Sequence, residues 1–239
     1  NYVAGVVGQA YGARLENLTN KVTITSGPAH NNKTRFGGVV GRVCADAEVY
    51  IEKLTNEVDH NLSQGTGAAA WEFIGGGTIG MVADGSAFDL EIVDVTNNGK
   101  LTVVSSGYAN VGGVCGYITR SAEKDGIFEN WVNNGDIVIS SQTGMCLGGV
   151  VGQARHYELL ECENNGSITI GEGCPESIEC NIGGIVGYTN GRNTSANGEV
   201  YITDCVNNGE IKIDKNIIPF VGGIVGYTTQ PVTVEGCVN

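Results

Sequence analysis

One Gly-rich phrase recurs seven times along this chain, and no other feature constrains the fold as strongly. It reads AGVVG, GGVVG, GGTIG, GGVCG, GGVVG, GGIVG and GGIVG, and its second residue is Gly5, Gly38, Gly77, Gly113, Gly149, Gly184 and Gly223. The mean spacing is about 36 residues, which is the period of a repeat array. A second anchor runs out of phase with the first and ends on Asn20, Asn56, Asn97, Asn133, Asn164, Asn207 and Asn239. Two positions before each Asn stands Leu18, Leu54, Val95, Trp131, Cys162, Cys205 or Cys237, and three before that Leu15, Ile51, Ile92, Phe128, Leu159, Ile202 or Val234. Both columns are apolar in every copy, so both face a core.

After the turn a third segment alternates with period two, as in KVTIT, KLTVV, DIVIS, SITIG and EIKID, while the second copy departs with EVDHN. Ile137 and Ile139 are expected to point inward around Val138, and Ile211 and Ile213 around Lys212. A single repeat cannot bury enough apolar surface to offset the entropy of ordering its backbone, but stacked repeats share one continuous core. The expectation is an all-β chain: a right-handed parallel β-helix, or β-solenoid, of about seven coils with three short strands each. The seven asparagines are expected to form an internal ladder, each amide bonding the coils above and below. The NNG turns place Asn where the left-handed region is tolerated and Gly where φ is expected to be positive.

Composition supports an ordered chain rather than a flexible one. Glycine is abundant, at 38 residues, but proline is rare, at 4, and β-branched residues alternate throughout. The net charge of −13 argues against nucleic acid and anionic lipid as partners. No apolar run approaches the ~20 residues of a membrane span. The chain opens and closes inside its own repeat, so residues 1–239 read as a single solenoid domain cut from a larger protein, with further repeats or domains of the same parent beside it.

With VGGIVGY and CVNNGEI on the page, the chain resembles the GLUG-motif repeat proteins, named for a Gly-Leu-small-Gly phrase. The Leu position is held here by Val6, Val39, Thr78, Val114, Val150, Ile185 and Ile224, a departure in residue type but not in spacing. The resemblance implies a β-helical surface or secreted protein of bacteria with an adhesin-like role at the cell surface or outside the cell. It carries over no catalytic residue.

Chemistry-bearing residues are sparse. Cys162, Cys205, Cys237 and Cys115 occupy core positions, where a thiol acts as a small hydrophobe. Cys174 and Cys180, in CPESIEC, are the one plausible local disulfide, and the sequence leaves open whether they are bridged. His30, His60 and His156 are isolated, so no metal site is expected. The position before the core column reads Asn17, Lys53, Asp94, Asn130, Glu161, Asp204 and Gly236; Glu161 and Asp204 on adjacent coils are the only pair suited to acid–base work or calcium, against a solvated acidic face. The residue after the Gly phrase is Gln9, Arg42, Met81, Tyr117, Gln153, Tyr188 or Tyr227, a half-exposed stripe in which Tyr117, Tyr188 and Tyr227 suit sugar contacts. Between Gly184 and Asn207 lies the insertion YTNGRNTSANGE, with Arg192 and Asn193 near its tip as further binding candidates. A second insertion, HNLSQGTGAAAWEF, is partly apolar, and its Trp71 reads as buried. Three functions fit: a non-catalytic adhesin-like module binding glycan or host protein, a spacer projecting another domain, or a β-helical polysaccharide lyase or hydrolase. The first is preferred, with no cofactor.

Overall fold

Each repeat closes one circuit of a β-solenoid, and every strand pairs in parallel with its counterpart in the neighbouring coil. The computed structural model describes residues 1–26, 33–44, 48–65, 72–83, 90–119, 126–155, 157–190, 200–213 and 216–239. Trp71, His30 and His156 lie outside the described residues. Among the described residues there is no helix.

The fourth coil shows the plan. Its chain runs through Ala109–Gly112 in sheet A, Cys115–Thr119 in sheet B, Gly126–Asn133 in sheet C and Ile137–Ser141 in sheet D. Among the described residues sheets A and B hold seven strands each, C holds nine because its later strands are broken in two, and D holds six. Among the described residues six circuits run through all four sheets and a seventh through A, B and C, slightly fewer complete coils than the sequence suggested. The expected three strands per coil are four. The Gly phrase is not one strand but a corner: GG ends sheet A, the chain bends, and sheet B begins two residues later.

That corner turns inward, and here the two repeated columns meet. Sheets B and C enclose one apolar lobe, including Val114, Ile118, Phe128 and Trp131, while sheets A and D enclose a second, including Leu101, Val111, Ile137 and Leu147. Between the lobes, the second glycine of each phrase packs on the amide of the same coil's ladder asparagine: Gly77 on Asn97, Gly113 on Asn133, Gly149 on Asn164. A methyl group on any of these glycines would lie closer to that amide, and to the next coil's backbone carbonyl, than carbon atoms pack. The cross-section is thus pinched at a waist made of glycine and asparagine.

The ladder runs unbroken through all seven coils. Nδ2 donates to the next Oδ1 from Asn20 to Asn56 (2.9 Å), on to Asn97 (2.9 Å), Asn133 (2.9 Å), Asn164 (2.8 Å), Asn207 (2.8 Å) and Asn239 (2.7 Å). Each interior amide also folds back on its own turn: Asn133 Nδ2 donates to the Gly135 carbonyl (2.9 Å) and Gly135 N–H donates to Asn133 Oδ1 (3.3 Å). The four bonds that Asn133 makes use the whole capacity of an amide, which is why the group can be buried without penalty. The glycines of NNG do not have positive φ, contrary to the sequence expectation. They are glycine because a side chain at Gly135 would strike the Gly99 carbonyl one coil away. The second Asn of NNG builds a parallel, exposed ladder. Asn208 donates to Asn165 (2.9 Å), Asn165 to Asn134 (2.9 Å), Asn134 to Asn98 (2.8 Å), and Asn98 ends it on the Glu57 carboxylate (3.2 Å), a pure acceptor.

Positive φ appears instead at Asn17, Lys53, Asp94, Asn130, Glu161, Asp204 and Gly236, one residue per coil, at values between 51° and 65°. This left-handed step inside the sheet C strand explains why two inward residues stand three apart, as Phe128 and Trp131 do, rather than two. Asn, Asp and Gly tolerate it; Lys53 and Glu161 do not. Lys53→Gly is expected to raise stability by about 0.5–1 kcal/mol in chemical denaturation, since the relieved strain exceeds the added chain entropy and the exposed Glu52 contact contributes little.

The second coil does carry its fourth strand, at His60–Ser63, three residues beyond the start of EVDHN. His60 takes the inward place that Leu101 holds in the next coil. It packs edge-on against Phe36 (4.9 Å), its Nε2–H donates to Asn56 Oδ1 (3.0 Å), and its Nδ1 accepts the Ile24 N–H (3.0 Å). Burial lowers its pKa below 6.5, against the weaker opposite pull of exposed Asp59. Both ring nitrogens are engaged, so the neutral ring is the one that fits. A depressed folded pKa means that the stabilisation is complete above pH 6.5 and is lost as pH falls through the folded value. The thermal midpoint should therefore drop on acidification below about pH 6.5, more steeply in the native chain than in His60→Leu.

Candidate ligand-binding cleft

Because the A/B corner points into the waist, the outer faces of sheets A and B turn toward each other along the length of the solenoid. Two columns of side chains line this re-entrant angle. On sheet B they are Gln9, Arg42, Met81, Tyr117, Gln153, Tyr188 and Tyr227, in register across all seven coils. On sheet A they are Tyr2, Arg35, Ile74, Asn110, Cys146, Asn181 and Phe220. The columns touch: Phe220 stacks on Tyr227 (4.7 Å between centroids), Arg35 Nε–H reaches Met81 Sδ (3.2 Å), and Tyr117 packs against the Ile74–Met81 cluster.

The three tyrosines of the stripe have different surroundings. Tyr188 and Tyr227 stack on each other at 5.5 Å and 10°, so each ring gives one face to its neighbour, and the Tyr188 hydroxyl lies 3.3 Å from Thr229 Oγ1. Tyr227 is exposed, Tyr188 half-buried. Tyr117 lies two coils from Tyr188 and three from Tyr227, with the Arg155 guanidinium 5.7 Å from its ring centroid. Burial raises the Tyr117 pKa. Arg192 and Asn193 lie outside the described residues.

The sheet A column is the half of the cleft that the sequence reading passed over. Its signal was a fixed offset: each member stands seven residues before its sheet B partner, three before the corner glycine and four behind it. Asn110 donates to Glu72 (2.9 Å), and the Tyr108 hydroxyl lies 2.9 Å from Cys146 Sγ. Burial pushes the Cys146 thiol up to about 11 and raises Tyr108 further, so both are neutral at physiological pH. The buried Oδ1 atoms of Asn110 and Asn181 have no partner. In a molecule that satisfies its ladder amides completely, such atoms mark a place where bonding capacity is left over.

Elsewhere the candidate chemistry resolves into structure. Glu161 and Asp204 are exposed members of the left-handed column, on adjacent coils. Among the described residues no three His, Cys, Asp or Glu side chains converge as metal ligands do. Cys174 and Cys180 are not bridged to each other, and both are buried in the A/D lobe. Cys162, Cys205 and Cys237 stack in the B/C lobe, where Cys162 and Cys205 are fully enclosed.

With the architecture in place, the comparison with known families is short. The GLUG motif matches residues 1–25. These residues hold the first Gly phrase and end just past the first ladder asparagine, so the matched GLUG unit spans both components of the waist, Gly5 and Asn20. No curated protein and no solved structure matches the chain. The chain is a β-helical repeat protein that carries a GLUG motif.

Proposed function

We propose that this chain is a non-catalytic, adhesin-like binding module acting outside the cell or on its surface, and that it takes a glycan or a host surface protein along the A/B cleft. The observation that carries this reading is the cleft itself. It is a continuous angle between two sheets in which Tyr, Asn, Gln and Arg side chains converge; its sheet A members Ile74, Asn110, Cys146 and Asn181 are buried, and its accessible surface includes Tyr2, Arg35, Arg42, Tyr117, Tyr188, Tyr227 and Phe220. A ligand running along the axis meets a new rung with every coil, about 4.8 Å apart, so contacts add along an extended chain. Polyhydroxyl groups supply both donors and acceptors to such a track, and ring edges and hydroxyls of tyrosine suit them. No cofactor is needed for this work.

A broad glycan-binding screen, run with and without calcium, tests it. The expected result is selective binding that falls at least about tenfold in Tyr188→Ala/Tyr227→Ala. Silence under both conditions contradicts the glycan form and favours the alternative of a spacer projecting another domain.

A further inference from the structure

The cleft is not electrostatically uniform. The chain has 13 Lys and Arg against 26 Asp and Glu, yet two of its arginines meet across the A/B corner of a single coil. Arg35 comes from sheet A and Arg42 from sheet B, and both lie by the ring of Tyr2, with their guanidinium carbons 5.8 Å and 5.2 Å from its centroid. Arg42 donates from Nη1 to the Tyr2 hydroxyl (2.7 Å), and Arg35 donates from Nε to Met81 Sδ (3.2 Å). Among the described residues neither guanidinium meets a carboxylate, and the buried Nε–H of Arg42 has no partner. Both side chains are half-buried, which raises the cost of two neighbouring positive charges without a counter-ion. In an acidic protein this is the reverse of the expected arrangement, since carboxylates are plentiful enough to neutralise every cation.

We infer that Arg35, Arg42 and Tyr2 form an anion subsite of the cleft, which receives the carboxylate or sulfate group of an acidic sugar. The inference rests on the reading of the cleft as a glycan site and names the class of glycan. Guanidinium groups present paired N–H donors at the spacing of carboxylate and sulfate oxygens, and the Nη groups of Arg35 with Nη2 of Arg42 supply them here. The Tyr2 ring holds the two forks by cation–π contact, so little side-chain entropy remains to be lost on binding. The overall charge of −13 sets a second limit. It repels chains with an anionic group on every residue, so the fitting ligand is a mostly neutral glycan bearing an isolated acidic unit.

The test uses the full chain and matched pairs of oligosaccharides: a sialic-acid-terminated trisaccharide, a glucuronate-terminated one and a sulfated one, each beside its neutral counterpart. Affinities are measured by calorimetry at low and at roughly 0.15 M salt. The expected result is that at least one acidic member binds about tenfold tighter than its neutral partner, and that salt narrows this margin. Arg42→Gln, and independently Arg35→Gln, should lower the affinity for the acidic member far more than for its neutral partner, so that the margin is lost while the unfolding midpoint stays in place. Two variants are used so that a folding defect in one does not decide the matter. The sialate, glucuronate and sulfate arms show which anion the subsite prefers. Equal affinity for acidic and neutral members, unmoved by either substitution, overturns the anion subsite and leaves the glycan reading standing. Silence toward all members overturns both.

Discussion

Gly113→Ala is expected to destabilise the chain by about 3 kcal/mol or more, read as a fall in the free energy of unfolding. The sign alone is informative. At an exposed position with ordinary φ, Gly→Ala stabilises by roughly 0.4–1 kcal/mol, because it restricts the unfolded chain. Gly113 does not have a positive φ, so backbone strain plays no part. The cost arises from packing: the added methyl would overlap the Gly149 carbonyl of the next coil and the Asn133 amide of its own. Neither can yield. The carbonyl belongs to a corner tied to both neighbouring coils, where Gly113 N–H donates to Gly148 O (3.1 Å) and Gly149 N–H donates to Gly183 O (3.1 Å), and the amide is held by neighbours on both sides. Relief requires the waist to widen through several coils.

Asn133→Ala should cost a comparable amount, about 4 kcal/mol, though nothing collides. Removal of the amide leaves the Asn97 Nδ2–H without its acceptor, Asn164 Oδ1 without its donor, and the Gly135 N–H and C=O without their turn partner. Each orphaned buried group carries a penalty of ~1–3 kcal/mol, partly relieved by water where a cavity admits it. The loss should exceed that from removing an exposed ladder residue such as Asn134, whose partners Asn98 and Asn165 turn to solvent instead. Asn134→Ala is therefore expected to stay within about 1 kcal/mol.

Much of this was legible from residue spacing. The period, the inward columns and the ladder asparagines all follow from which positions stay apolar or amide while their neighbours vary. The physical cause is that stacked coils repeat one environment seven times. What escaped the reading was geometry inside the repeat. Paired glycines announce close approach, but they do not say from which side, so the corner at Gly112 and Gly113 was read as part of a strand and the fourth sheet went uncounted. The three-residue gap between Phe128 and Trp131 did encode the left-handed step at Asn130, because alternating strand residues cannot both point inward at that spacing. In the cleft, the tyrosine stripe of sheet B was visible beside its glycine marker. Its sheet A counterpart, running from Tyr2 and Arg35 to Phe220, was not, because these residues share neither polarity nor size. Their common feature is position alone. His60 was dismissed as isolated, although it substitutes for a leucine and borrows an acceptor from the ladder.

The waist is the central claim, and Asn133→Asp tests it most directly, because it keeps the shape of the side chain and changes one donor into an acceptor. The measurement is the difference in unfolding free energy between the native chain and this variant as a function of pH. At neutral pH the carboxylate would face Asn164 Oδ1 and the Gly135 carbonyl with no proton to give either, so a loss of about 3 kcal/mol or more is expected. Burial and these acceptors raise the folded pKa of the new carboxyl, so the stability lost at neutral pH should return as pH falls through that value and the proton restores one donor. A variant as stable as the native chain at neutral pH, with no recovery on acidification, would mean that the asparagine column does not hold the two lobes together.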